Sequence, residues 1–409
     1  MEHLLIIGAG VAGLYAGQLL QAAGYAVQIL EARDRIGGRV HTSHDFADHP
    51  VELGAEFVHG QQSVLFDWCQ ANGLPLVKET TPAAYIYGSD LQSFEQLCQQ
   101  SQAIADFFDY YDQHHRYAGP DVSLEDFLHQ HEVWDEVCHY AEAMAAEYGT
   151  SADRLGVWSL AKSAFLWKAG HENYRLPQGY DQVIAGLSKG LSIHTQKAVT
   201  HIRYAPTAEV LTADGTRYTA ERILLTVPLS VLQKGGIAFD PVLPEWKQWA
   251  IQKIGIGQGL KILLRFRDRF WGDRAEMIGS RVVAEYWTSH PSSLVLTAFA
   301  MGRQAEALMA LPAHRAAEEV IAELDELFAG VASKTIADVR LVAWDGAYSY
   351  PAPGSFGQHR ALARSLEGRL FFAGEATNTH GHIATVHGAM ESAADAVEEI
   401  MEHTSPMIS

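Results

Sequence analysis

Apolar and polar positions divide the first forty residues into three elements. Leu4 to Ile7 is a continuous apolar run and predicts a buried strand. It stops at Gly8, Gly10 and Gly13, after which apolar residues recur at helical spacing. Leu14, Leu19, Leu20 and Ala23 are expected to face inward, with Gly24 as the C-cap. A second apolar run, Ala26 to Leu30, ends directly on Glu31. Strand, glycine turn, helix and strand in this order predict a Rossmann-type α/β unit.

The pattern changes after residue 80. From there to about 175 it becomes helical and rich in aromatic and acidic residues. Ser123-Leu-Glu-Asp126 opens one helix as a capping box, and Glu142 and Glu147 fall on a later one that breaks at Gly149-Thr150. Tyr174 to Tyr180 returns the chain to a βαβ context. His194 to Arg203 and Glu209 to Tyr218 read as short strands, with a hairpin turn at Ala213-Asp-Gly-Thr216, and Ile223 to Val227 as a buried strand ended by Pro228. In Leu260 to Phe266 alternation puts Lys261, Leu263 and Arg265 on one face. Pro312 to Phe328 is an amphipathic helix capped by Gly330. Leu370-Phe-Phe runs into Gly374-Glu375. A final helix from about Thr385 to Met401 has Ala389, Ala393, Val397 and Ile400 as its inward stripe. No repeat is evident.

Composition narrows the classes. A chain of 409 residues has room for two or three domains. Its 48% hydrophobic and 19% charged content describes an ordinary globular protein. No apolar stretch reaches membrane-spanning length, so no membrane partner is expected. The first strand starts at about residue 3, leaving no room for a signal peptide, and the expected location is cytoplasmic. A net charge of −19 argues against a nucleic-acid partner. That charge serves solubility, and it would also attract a cationic small substrate. Cys69, Cys98 and Cys138 are far apart and suit reduced, buried thiols. No metal is expected.

The glycine turn carries the first candidate chemistry. Gly8, Gly10 and Gly13 stand in G-x-G-x-x-G spacing, which allows a tight turn, close approach of backbone to a pyrophosphate, and close helix–strand packing. The helix N-terminus adds unpaired donors and a positive dipole end. Glu31, 18 residues after Gly13, suits a ribose with free hydroxyls, and so FAD or NAD rather than NADP. Arg39 is either a phosphate partner or a solvated loop residue. Gly54-Ala55 could pass tightly under a flat ring, while His59 is either structural or catalytic. Lys261 is on a half-exposed face unless that face lines a cavity. The aromatic turn Trp344-Asp-Gly-Ala-Tyr-Ser-Tyr-Pro351 could bracket a ring or an ammonium, or simply pack.

Taken together, GAGVAGL with EARDRIGGRV, VELGAEFVHG, the lysine strand, WDGAYSYPAPG, and FFAGEA followed by TVHGAMESA resemble the flavin-dependent amine oxidases, the family of monoamine and polyamine oxidases. The resemblance spans nearly the whole chain. It implies a glutathione-reductase-like FAD-binding domain from residues 1–79, 176–254 and 344–409. An α+β substrate domain is inserted as 80–175 and 255–343. By the same likeness Gly8, Gly10 and Gly13 would hold the pyrophosphate, Glu31 the ribose, and Arg39 the phosphates. Val199 would meet adenine through its backbone. Glu375 would serve the ribityl–pyrophosphate side and Val386 the flavin pyrimidine. Ala32, Arg33, Gly38, Gly54, Ala55, Glu56, Trp344 and Thr385 complete the implied cofactor contacts. Lys261 matches the lysine that holds a water near flavin N5, which places its strand face on a cavity.

Two departures separate this chain from the monoamine oxidases. Ala347 stands where they carry a flavin-linked cysteine, so FAD is expected to be non-covalent. Of their two cage tyrosines, Tyr348 matches one, and Thr385 replaces the other. His59 in FVHG and the GAYSYP turn resemble the animal spermine and polyamine oxidases instead. Lys261, His59 and Tyr348 are the implied catalytic residues, with Glu56, Glu142 and Glu147 as candidate carboxylates for a second ammonium. The implied reaction is hydride transfer from a neutral amine to FAD, hydrolysis of the imine, and reoxidation by O₂ with release of H₂O₂. An L-amino-acid oxidase, a desaturase of the same fold, and a flavin-binding protein without turnover are the alternatives. A monomer or homodimer is expected.

Overall fold

Strands from both ends of the chain meet in one sheet. In a computed structural model that describes residues 2–80, 83–274, 276–290 and 292–404, five strands run in the order Ser192–His194, Ala26–Leu30, His3–Ile7, Arg222–Leu225, Leu370–Phe372. Every pairing is parallel. Leu4, Leu5 and Ile6 of the central strand are fully buried because both faces of the sheet are covered. A strand so placed reads as a continuous apolar run instead of alternating.

On one face the first helix, Val11–Ala22, packs against the last, Val386–Thr404, through Leu14, Ala16, Leu20, Ala393, Val397 and Ile400. The other face meets a four-stranded sheet that contains Val199–Arg203 and Ala208–Thr212, with Leu5, Ile7, Ile202 and Val210 in the shared core. Ala23, expected to face inward, is the exposed C-cap of the first helix, since the helix ends one residue sooner. The segment His194 to Arg203 is not one strand. It turns at Gln196, whose φ is +57°, and its halves join different sheets.

A second sheet has seven strands in the order Ile336–Trp344, Gly259–Phe266, Val295–Met301, Glu285–Trp287, Glu276–Ile278, Ala84–Tyr87, Asp90–Gln92. Its outer face packs on the helix Ala313–Leu327 through Leu260, Ile262, Leu264, Tyr286, Val320 and Leu324. The register puts a different set on the inner face. Lys261 lies opposite Phe299, Phe299 opposite Glu285, and Trp287 opposite Glu276. Directly paired residues project to the same side, so all five share that face.

The Ala84–Tyr87 and Asp90–Gln92 hairpin corrects the reading of 80–175 as helical. It is an edge hairpin of three- and four-residue strands, too short to show alternation. Asn173–Arg175 pairs with Val58–His59 and Val77–Lys78, so pairing with the first domain begins slightly before residue 176. Cys69 is buried, while Cys98 and Cys138 are only half-buried, and all three are free thiols. Among the described residues no helix is long and apolar enough to cross a membrane.

Candidate active site

The glycines of the opening turn divide into two kinds. A Cβ on Gly13 would lie 2.0 Å from the carbonyl oxygen of Gly8, so the helix can sit on the strand end only with glycine there. A Cβ on Gly10 would meet nothing within 4 Å, and the same holds at Gly374 on the far side of the sheet. These two open a groove along the carboxyl ends of the strands, where ligands of such sheets bind. Glu31 closes one end. Its Oε2 accepts from the Ala9 N–H at 2.8 Å and its Oε1 from the Arg33 N–H at 2.9 Å, which fixes the loop around the carboxylate. Gly38 lies against Gly10, Ala32 and Arg33 follow Glu31, and Val199 is nearly buried in the neighbouring sheet.

Further along the groove Arg39 meets Glu375, 336 residues away. Its Nη1 donates to Glu375 Oε1 at 2.8 Å and to the Ala347 carbonyl at 2.9 Å. Burial would raise the Glu375 pKa, but Arg39, the Ser349 hydroxyl and the Ala384 N–H hold it below the usual value. Arg39 is thus pinned by a carboxylate and does not stand as an isolated phosphate partner. The Val386–Thr404 helix begins beside this pair, and its first N–H groups have no partner within the helix. Thr385 caps it: its hydroxyl accepts from the Gly388 N–H and donates to the His382 carbonyl. Open glycines, an acid at the ribose end and the positive dipole end of a helix fit a dinucleotide. Ala347 offers no nucleophile for a covalent link.

Gly54 has a different reason to be glycine. Its Cβ would lie 1.9 Å from the Arg39 carbonyl, to which Ala55 N–H donates at 3.0 Å. The Trp344 indole lies over this turn and donates to the Leu53 carbonyl at 2.7 Å.

The lysine strand is buried on both faces, so the half-exposed reading of Lys261 fails: its side chain is 6% exposed. Nζ donates to Glu56 Oε2 at 2.9 Å and to the Glu52 carbonyl at 3.1 Å, and lies 5.1 Å from the Trp287 ring centre. Glu56 is the hub of this wall. Arg175 ion-pairs with it closely, and Trp287 Nε1 and Ser289 Oγ donate at 3.0 and 2.7 Å. Burial alone would raise its pKa, yet Lys261 and Arg175 bring it down to about 2. The expectation that Glu56 receives a substrate ammonium is therefore corrected, because two protein cations already neutralise it. Arg175 also pairs with Glu79 and lies 4.2 Å from the Phe57 ring centre.

His59 accepts a simple role in the geometry. Its Nδ1 is 2.8 Å from Asn173 Oδ1, and burial lowers its pKa, so the ring is neutral. Tyr348 donates to the Ala146 carbonyl at 3.0 Å. Its ring rests on Gly149, where a Cβ would come within 2.5 Å. Burial, with Glu285 and Glu147 nearby, raises the Tyr348 pKa far out of range, so it is neutral too.

The two helical acids part company. Glu147 reaches the site, where Tyr111 OH donates to it at 2.5 Å and burial pushes its pKa up to about 7. Glu142 does not: it turns away to Arg303, which also holds Glu125. This corrects its assignment to substrate binding. Five residues along a helix at about 100° each put the two side chains on different faces, a signal already present in their spacing. Two acids that sequence reasoning missed stand on the inner face of the second sheet. Glu276 and Glu285 hydrogen-bond to each other through their side chains and both have raised pKa values, from burial first. Glu276, Glu147 and Glu56 raise Glu285 further, while the hydrogen bond with Glu285 and the Arg175 charge draw Glu276 partly back. They occupy strands of three residues, which carry no periodic pattern.

Comparison with known proteins decides the family. Residues 11–401 match the family described as flavin containing amine oxidoreductase. The chain belongs to this family. As a flavin-containing amine oxidoreductase it uses FAD, and its fold is the FAD-binding α/β domain with a substrate domain. Polyamine oxidase 2 of Arabidopsis thaliana is 31% identical over 97% of this chain and 87% of its own length. Polyamine oxidase 5 of Oryza sativa subsp. japonica is 29% identical over 99% and 89%. A redesigned putrescine oxidase superposes with a TM-score of 0.82 over 98% and 99% of the two chains, and at 22% identity this speaks for the fold alone.

Proposed function

We propose that this amine oxidoreductase acts on a di- or polyamine. A primary or secondary amine becomes an imine that water hydrolyses to a carbonyl compound, and O₂ is reduced to H₂O₂. The observation that carries this reading is the excess of carboxylate at the site. Lys261 and Arg175 are both spent on Glu56 and Glu79, while Glu147, Glu276 and Glu285 have no lysine or arginine paired to them among the described residues.

FAD, when bound, would supply the hydride acceptor for the carbon next to nitrogen. The chain's residues orient and isolate the amine. Neutral His59 and Tyr348 border the reacting nitrogen without repelling or fixing a charge. The Lys261 ammonium has three donors, and Glu52 and Glu56 take two. Among the described residues nothing else takes the third, which would hold a water in the site. An amino acid would need an arginine for its carboxylate, and Arg175 is already neutralised. An apolar desaturase substrate would leave three acids without a partner.

A peroxidase-coupled assay with spermine, spermidine, putrescine, benzylamine and several L-amino acids tests the reading. Peroxide should appear with the polycationic amines first. No peroxide from any of them, with FAD bound, sinks it. Because the amine must lose a proton before hydride leaves, the rate should rise with pH through an apparent pKa. A flat profile between about pH 6 and 10 would count against the mechanism.

A further inference from the structure

We infer that Glu276 and Glu285 share one proton in the free protein and exchange it for the second ammonium of the substrate, so that a dication binds with release of a proton. This inference rests on the amine-oxidation reading for its substrate, but not for its test.

The two residues lie on adjacent antiparallel strands and on one face, Glu276 opposite Trp287 and Glu285 opposite Ile278. Glu285 is 9% exposed and pairs with no lysine or arginine among the described residues. Among the described residues the groups packed against the pair bring no free cation. Glu147 and Tyr148 close the Trp134–Glu147 helix, and Tyr111 comes from the helix Gln102–Gln113. Tyr85 stands on the neighbouring strand, Glu79 and Arg175 act on Glu276, and Glu56 and Tyr348 are electrostatic neighbours of Glu285. Arg175, the cation that acts on Glu276, is held by Glu56 and Glu79. Two carboxylates in contact in such a place cannot both ionise without a counter-charge, and sharing one proton is the way out.

An ammonium replaces that proton better than a metal would. Among the described residues no group of three or more carboxylates, histidines or cysteines is arranged to hold a metal ion. Phe299 and Ile278, on the same face, offer apolar contact for the methylenes that link the two nitrogens of a diamine. The proton balance is simple: one proton leaves the pair, one ammonium enters, and no bond to carbon changes. Below the titration range of the pair, affinity for a dication should rise up to about tenfold per pH unit. A monoamine has no second ammonium and escapes this dependence.

Titration calorimetry on the anaerobic holoenzyme, in two buffers of different ionisation enthalpy at about neutral pH, compares putrescine with n-butylamine. Both lose the proton of the reacting nitrogen, so their difference isolates the pair. Putrescine should release about one proton more than butylamine. Glu285→Gln should abolish that extra proton, and the Glu276→Gln, Glu285→Gln double variant should lower the putrescine-to-butylamine affinity ratio roughly tenfold to a hundredfold. Equal proton release by the two amines in the unaltered protein overturns the inference, and that comparison stands even if a variant fails to fold. Retention of the extra proton by Glu285→Gln overturns it as well. Peroxide production decides the oxidase reading separately: peroxide from butylamine with no extra proton defeats only the pair, and an extra proton without peroxide defeats only the oxidase.

Discussion

In the cofactor cradle the decisive residues are glycines, and what matters is the side chain they lack. In the wall facing the substrate the decisive residues are Lys261, Glu56, Arg175, Glu276 and Glu285, and what matters is how their charges compensate. Gly8, Gly10 and Gly13 act within one turn of backbone, whereas in the Lys261–Glu56–Arg175 cluster Glu56 meets partners 119 and 205 residues away. A cradle of backbone tolerates almost any sequence elsewhere. A wall of buried charge is only as stable as its last partner, since one missing counter-ion leaves a charge in a low dielectric.

The contrast can be broken most severely at Gly13. Gly13→Val should abolish folding or FAD retention, because its Cβ has no space beside the Gly8 carbonyl. Gly10→Ala should leave the apoprotein melting temperature within about 2 °C, and weaken FAD at least roughly tenfold. Flavin absorbance per protein and thermal melts check both. If Gly10→Ala destabilises the apoprotein as Gly13→Val does, the division into packing and ligand glycines is wrong.

Next comes the wall. Lys261→Met leaves Glu56 with Arg175 alone and should cost about 3 kcal/mol in denaturant unfolding. In stopped-flow half-reactions of the holoenzyme it should slow reoxidation far more than reduction. Equal losses in both halves would refute the role given to the lysine.

The acid limb gives a sharper reading of the same cluster. Glu56 has its pKa lowered from an unfolded value of about 4.3 to about 2. Its contribution is therefore fully present above about pH 4.3 and lost as pH falls towards 2, for a total of about 3 kcal/mol. Unfolding measured across that range should show the loss in the unaltered protein and a flatter limb in Glu56→Gln. An unchanged limb would mean the wall is not held by ion pairing.

The smallest effect is expected at Thr385. If its hydroxyl serves to cap the last helix, Thr385→Ala should cost about 1 kcal/mol of stability. It should leave KM for amines within about twofold. A large KM change with no stability loss would return Thr385 to substrate binding.

Much of the cradle was legible because its signals are local. Strand, turn, helix and acid follow one another within about thirty residues. The wall was legible only in part. Alternation put Lys261 on a face of its strand, but not on a buried one, because burial depends on which elements cover the sheet. Glu56 looked free in VELGAEFVHG, since Arg175 arrives 119 residues later. Glu142 and Glu147 share one helix, but their spacing puts them on different faces. Glu276 and Glu285 lie on strands too short for any periodicity to show.

By itself the sequence determined that a dinucleotide groove opens the chain, that a lysine strand and an aromatic turn lie downstream, and that their combination resembles the amine oxidases. Spacing suffices there because turns, helices and strands are set by short-range sterics and hydrogen bonding. Only the tertiary structure decided which charges are spent and which remain. Arg39 meets Glu375 and Lys261 meets Glu56 across large sequence separations, and Glu276 meets Glu285 through the pairing of two short strands. The compensation of buried charge is a property of who is within a few ångströms, and the chain order does not state it.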